Sequence, residues 1–221
     1  QRQLGIDREG FERAMEGQRE RARAGSKFIP GERAFTLSMP AELERTLDQA
    51  GDQFAGYDTT TVPGTSVLAL FNETGASVDA LGTGAQGYVA LAKTPFYVEA
   101  GGQVSDRGRI VGADGSSASV ERLVKPGQNR PRLHFVRVEQ GQLRRNQIVT
   151  AEVIDEIRDA TRRNHTATHL LHAALRNVLG SHVRQGGSLV APDRLRFDFV
   201  HFAALTDAQI ESIILFIRTL R

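Results

Sequence analysis

Residues 53–155 constrain the fold most, because short β-prone runs alternate there with glycine-containing turns. Turn signals such as Asp114-Gly115 and Gln140-Gly141 separate these runs. Several short strands at this spacing predict a small antiparallel sandwich or barrel, and closure into a barrel would remove exposed strand edges. We expect the paired glycines Gly101 and Gly102 to lie at a sharp bend. The predicted strands cover residues 66–71, 87–92, 109–111, 117–124, 132–139 and 147–154.

Helical patterns flank this region on both sides. Residues 7–27 predict a charged helix, and residues 41–49 a short second one near Pro40. Residues 162–179 form a strongly amphipathic pattern that Thr161 or Asn164 could cap and Gly180 could end. Two runs, 188–190 and 194–200, then predict a hairpin. Thr206 could cap a final helix with an apolar face formed by Ile210, Ile213, Ile214 and Ile217.

These patterns place the 221 residues in the α+β class, with three predicted segments. They are a helical segment over residues 1–50, a β-barrel with a glycine-rich motif over 51–156, and a mixed segment over 157–221. A hydrophobic share of 40% is enough for a core, and no apolar run approaches the roughly 18 residues of a membrane span. The chain has no cysteine, which excludes thiolate metal ligands within it and fits a cytoplasmic protein.

His165 and His169 form the sharpest chemical signal. Histidines four residues apart on a helix stand one above the other, so both imidazoles can reach one ion. The spacing alone leaves open a plain polar surface, and His172 makes a third ligand geometrically possible. Thr166 occupies the position where the zinc-protease motif requires a glutamate, which excludes that class.

Two further segments could carry function. Residues 94–108 run from an aromatic strand end into Gly101, Gly102 and Gln103, either as a barrel corner or as a backbone surface against a ligand or neighbouring domain. Residues 183–188 follow the histidine helix and contain Gln185, whose amide could orient a substrate carbonyl or hydroxyl. The alternative for Gln185 is a solvent-exposed turn.

Taken in order, these segments resemble the alanyl-tRNA synthetase family. The resemblance includes residues 10–23, the glycine motif at 94–108, the histidine motif at 164–172, and residues 176–190 and 195–199. It implies an elongation-factor-like barrel preceded by the end of a helical tRNA-recognition region. The first half of an editing domain shared by threonyl- and alanyl-tRNA synthetases would follow the barrel.

The resemblance also implies an activity. The family hydrolyses tRNA(Ala) wrongly charged with serine or glycine. Such mischarging arises because a charging site for a small side chain rejects neither amino acid completely. His165 and His169 would be two of four Zn²⁺ ligands, and His172 would not be a ligand. Thr166 and Gln185 would line the pocket as catalytic residues, and Gly101, Gly102 and Gln103 would contact substrate or tRNA. The family's remaining zinc ligands are a cysteine and a histidine four apart, and neither they nor the ATP-dependent aminoacylation core are expected within these residues.

We therefore expect an internal piece of a ligase that performs neither reaction alone. A free-standing alanyl-tRNA editing hydrolase and a non-catalytic RNA-binding or interaction module are the alternatives. The small net charge of +2 permits RNA binding, which the arginines would carry through phosphates. Apolar residues of the histidine helix and the final helix predict that the final helix folds back over it, or that the chain self-associates there.

Overall fold

A computed structural model describes residues 37–127 and 129–219. The charged helix predicted over residues 7–27 lies outside the described residues. The second predicted helix is confirmed as α1 (Ala41–Ala50), which begins directly after the extended Pro40 and ends at Gly51. Leu43 and Leu47 are both buried. They lie four residues apart, and this spacing gives a short helix a single packing face.

Six antiparallel strands close into the predicted barrel. The strands are β1 (Thr61–Asn72), β4 (Gln86–Leu91), β5 (Gly108–Gly112), β6 (Ser117–Val124), β7 (Leu133–Gln140) and β9 (Ile148–Val153). Their order around the barrel is β1-β4-β7-β6-β5-β9, and β9 pairs back with β1. Strand β2 (Ser77–Val78) pairs with β1, and β3 (Ala80–Gly82) pairs with β8 (Gln142–Arg144) as a separate ribbon.

Closure depends on a bend in β1. Its first half pairs with β9 and its second half with β4, and its register with β9 shifts between Val62 and Thr65. Gly64 lies at this shift with φ +70°. An irregularity of this kind bends a strand and increases its twist. The barrel interior is then filled by alternate side chains of all six strands, including Val67, Leu70, Val89, Val120, Val136, Ile110 and Ala151.

The remaining segment contains two helices and a hairpin. Helix α2 (Asp155–Leu179) is followed by β10 (Gln185–Val190), β11 (Leu195–Phe199) and α3 (Asp207–Thr219). The predicted hairpin is confirmed, and Gly180 and Thr206 lie at the predicted helix ends. The predicted division into segments 1–50, 51–156 and 157–221 stays a prediction.

The predicted start of α2 is wrong by seven residues. The helix begins at Asp155, and neither Thr161 nor Asn164 caps it. Thr161 instead donates its hydroxyl to the Ile157 carbonyl within the helix, at 2.9 Å. The first two turns of α2 are mostly charged and lack the apolar period, because their packing is made by the buried Arg158.

The final helix folds back over the histidine helix, which confirms the first of the two alternatives predicted for its apolar face. Ile213 of α3 joins a small core with Ala174, Leu175 and Val183. Ile214 and Leu215 remain 45% and 64% exposed, so part of the apolar face of α3 meets solvent.

Among the residues that the structure describes, no helix has both the length and the apolarity that a membrane span requires.

Candidate metal and substrate site

His165 and His169 come together on the exposed side of α2. Their Nε2 atoms lie 3.0 Å apart and their ring centroids 4.9 Å apart. Two ligands of a tetrahedral zinc ion, each at about 2.0–2.1 Å, stand about 3.3–3.4 Å apart. The pair therefore fits two positions of a zinc shell after a small adjustment. Within residues 37–127 and 129–219, no group of three or more His, Asp or Glu side chains is arranged to hold a metal ion.

His172 does not join this pair. Its ring packs against Phe197 with centroids 5.0 Å apart, on the side of α2 that faces the hairpin. Its Nε2 is buried and has no hydrogen-bond partner among the described residues. The three-histidine arrangement that the spacing permits is therefore absent from this part of the chain.

Gln103 contacts the histidine pair. It lies in the long β4–β5 connection, where Ala100 and Gln103 pair across a turn. Its Oε1 is 2.6 Å from Nδ1 of His165. The sequence singles out Gln103 and His165 separately, but no sequence signal joins two residues 62 positions apart.

Gly101 and Gly102 form the tip of this turn, outside the barrel strands. Their φ angles are +60° and +86°, a region that glycine adopts without strain. A Cβ on Gly102 would collide with the Ser188 carbonyl oxygen, so the glycine permits close packing against β10. The amide of Val190 donates to the Gly102 carbonyl at 2.7 Å, and the Ser188 hydroxyl donates to Gly101 at 3.1 Å. The predicted bend is present, and its surface lies against the neighbouring hairpin.

Gln185 and Thr166 flank these contacts. Gln185 is the exposed first residue of β10 and donates its amide to the Ser188 hydroxyl at 2.9 Å. A continuous series of contacts thus connects Gln185 through Ser188 and the glycine turn to His165. Thr166 is exposed on α2, three residues before His169, and neighbours it on the helix surface.

A buried ion pair fixes the β4–β5 connection against α2. Arg158 and Asp106 are each 5% exposed, and the guanidinium donates to both carboxylate oxygens. Arg158 also donates to the carbonyls of Pro95 at 2.6 Å and Gly56 at 3.1 Å. Asp106 accepts the amide of Tyr97 at 2.6 Å. The connection that carries Gln103 is therefore held at both ends by the first turn of α2, and no sequence pattern indicates this role.

A second anchor lies at the start of the same connection. His134 is fully buried in the barrel wall, with Nε2 2.7 Å from the Thr94 hydroxyl and Nδ1 2.9 Å from the Val89 carbonyl. Burial is the main cause that lowers the pKa of His134 to about 4. At neutral pH the ring is neutral, so Nδ1–H donates to Val89 and Nε2 accepts from Thr94.

Another histidine pair lies away from the first. Nε2 of His182 is 2.9 Å from Nδ1 of His201, and Phe202 stacks on His182 with centroids 4.5 Å apart. The pair joins the loop after α2 to the residues after β11. Sequence spacing gives no sign of it, because the two histidines are 19 positions apart and share no element.

A family model described as tRNA synthetases class II (A) matches residues 1–158. The chain is 48% identical over 213 residues to an alanine–tRNA ligase of Halorhodospira halophila, and 47% identical over 210 residues to one of Methylococcus capsulatus. An alanine–tRNA ligase of Oleidesulfovibrio alaskensis is 44% identical over 209 residues. These matches cover 95–96% of the chain and 23% of each relative, so the chain spans about a quarter of their length.

Proposed function

This chain belongs to the tRNA synthetases class II (A) family, and we propose that it forms part of an alanine–tRNA ligase that charges tRNA(Ala). The observation that carries the proposal is the identity shared with alanine–tRNA ligases along nearly the whole chain. ATP would be consumed by the charging reaction of the complete ligase. No residue of this chain is assigned to ATP.

Within the ligase, we assign residues 157–221 to an editing site that hydrolyses tRNA(Ala) carrying serine or glycine. The convergence of His165 and His169, 3.0 Å apart at Nε2, supports a Zn²⁺ site to which they give two ligands. A bound zinc ion would supply Lewis acidity toward the ester linkage. The other ligands would come from water or from residues outside the described ranges.

Thr166 and Gln185 are proposed to contact the substrate. Both are exposed, and Thr166 lies beside the histidine pair on α2. The Thr166 hydroxyl can accept or donate a hydrogen bond to the hydroxyl that distinguishes serine from alanine. The Gln185 amide, held by Ser188, can orient a carbonyl or hydroxyl of the aminoacyl group.

tRNA(Ala) is the proposed macromolecular partner, bound largely through its phosphates. A cleft of about 540 Å³ between the barrel and the hairpin is lined in part by Arg107, Arg122 and Arg194. Arginine donates two parallel hydrogen bonds to a phosphate, so these side chains suit a nucleic-acid backbone. Acidic side chains also line the cleft, so we expect the affinity for tRNA to be modest.

Hydrolysis of Ser-tRNA(Ala) by the ligase that carries this segment tests the editing assignment. His165→Ala and His169→Ala should each lower the hydrolysis rate by more than about tenfold, because loss of a ligand weakens the metal site. The rate of charging with alanine should stay unchanged. His182→Ala is the matched control, since it alters the other histidine pair. Hydrolysis at the wild-type rate by His165→Ala and His169→Ala would refute the assignment.

A further inference from the structure

We infer that Gln103 is a positioning residue for His165: its carboxamide oxygen accepts the Nδ1 proton of His165 and turns the Nε2 lone pair toward His169. As far as it concerns a metal, the inference rests on the proposed zinc site. It gives Gln103 a different role from the substrate or tRNA contact that the family resemblance implies.

The hydrogen-bond chemistry determines the tautomer. Gln103 Oε1 lies 2.6 Å from His165 Nδ1, and a carboxamide oxygen only accepts hydrogen bonds. The proton of a neutral His165 must therefore lie on Nδ1, which leaves Nε2 as an acceptor. Nε2 of His169 is 3.0 Å away, so without metal His169 must carry its proton on Nε2 and donate it to His165. His169 therefore donates a hydrogen bond to His165, and His165 donates one to Gln103.

Metal binding then requires a change in only one of the two rings. Nε2 of His165 already carries no proton, which is the tautomer that ligation needs. His169 must move its proton from Nε2 to Nδ1 before its Nε2 can ligate. Without Gln103, His165 could also adopt the Nε2–H tautomer, and both rings would then have to change.

Backbone contacts hold Gln103 in place independently of its side-chain contact with His165. Residue 103 bridges to Val190, and the Val104 amide donates to the Val190 carbonyl at 3.0 Å. The adjacent Gly102 packs directly on Ser188. The Arg158–Asp106 pair fixes the connection three residues further on. The hydrogen bond therefore costs only the rotamer freedom of the Gln103 side chain, since the backbone is already fixed.

Substitutions at Gln103 separate this role from a merely structural one. Gln103→Leu removes the acceptor at similar size. Gln103→Glu keeps an acceptor at the same place and adds a charge that strengthens the hydrogen bond. Gln142→Leu is the matched control, because Gln142 lies on β8 and its side chain contacts Arg144. If the Gln103 amide nitrogen were donating to Nδ1 instead, wild-type His165 would carry its proton on Nε2, and Gln103→Glu would move that proton to Nδ1.

The test combines long-range ¹H–¹⁵N NMR of the histidine rings at pH 7.5 with calorimetric titration of Zn²⁺. In the wild-type chain, His165 should carry its proton on Nδ1 with and without Zn²⁺, and His169 should move from the Nε2–H to the Nδ1–H form when Zn²⁺ is added. Gln103→Leu should give His165 a mixture of tautomers and raise the Kd for Zn²⁺ by about tenfold or more. Gln103→Glu should keep the wild-type tautomer with an equal or lower Kd.

The outcomes distinguish the two proposals. A wild-type His165 with its proton on Nε2, or a Gln103→Leu variant with wild-type tautomer and Kd, overturns the inference about Gln103. A wild-type chain that binds no Zn²⁺ overturns the proposed metal site, and the tautomer of His165 in the metal-free chain still decides the role of Gln103.

Discussion

Replacing Arg158 with methionine should destabilise the protein more than any change at a surface arginine. The guanidinium donates to Asp106, to the Pro95 carbonyl and to the Gly56 carbonyl, and all of these contacts are buried. Methionine keeps much of the apolar stem but none of the donors. Asp106 would be left as a buried carboxylate whose remaining partner is the amide of Tyr97.

The expected cost follows from this geometry. Removing one member of a buried ion pair costs about 3–5 kcal/mol, because the other charge stays desolvated without compensation. The Tyr97 amide offsets part of the penalty, and the two abandoned carbonyls add to it, so we expect about 4 kcal/mol. For a protein of this size, such a loss lowers Tm by about 8–16 °C.

Urea unfolding followed by circular dichroism measures the change in the free energy of unfolding. Arg109→Met is the control, because Arg109 and Glu139 form a pair 3.6 Å apart whose side chains are 56% and 45% exposed. That substitution should cost less than about 1 kcal/mol. The double variant Asp106→Asn/Arg158→Met should cost less than the sum of its single changes, since the stranded charge is gone. A loss below about 1 kcal/mol for Arg158→Met would refute the reasoning.

Three further predictions follow from other parts of the molecule. Burial lowers the pKa of His134 to about 4, so the unfolded chain binds this proton first and stability falls as pH decreases below about 6.5. Urea unfolding should show a loss of about 2 kcal/mol between pH 7 and pH 5, and a flat profile contradicts it. Affinity for tRNA(Ala), measured by filter binding, should fall steeply between 50 and 200 mM salt, whereas salt-insensitive binding would argue against phosphate contacts. Leu215 is 64% exposed on α3, so the wild-type chain should self-associate with concentration in sedimentation and Leu215→Glu should abolish this; a strictly monomeric wild-type chain contradicts that expectation.

Local sequence patterns predict the barrel and the histidine pair well, because each depends on near neighbours. Glycine turns mark the strand ends, and the i, i+4 spacing alone brings His165 and His169 together on a helix. The predicted strand over residues 66–71 is shorter than β1, which begins at Thr61, because the register shift lets the strand continue through Pro63 and Gly64. Val62 and Thr65, on either side of the shift, pair with Ala151 and Val149 of β9, more than 80 positions away along the chain.

The contacts that assemble the site could not be predicted from the sequence, because they join residues that are far apart along the chain. Gln103 meets His165 across 62 positions, and Asp106 meets Arg158 across 52. Periodicity reports which face of an element is apolar, and it carries no information about a charged side chain that packs inward. The sequence therefore places the start of α2 too late, because the buried side chain that anchors its first turn is Arg158.

Zinc titration of the 221-residue chain tests the central claim most directly. We predict one Zn²⁺ per chain, bound weakly enough to be lost on dialysis, since two imidazoles supply half of a four-ligand shell. His165→Ala or His169→Ala should abolish the binding, and His182→Ala should leave it unchanged. Tight one-to-one retention after dialysis, or binding that survives His165→Ala, would contradict the assignment of His165 and His169 as the two ligands.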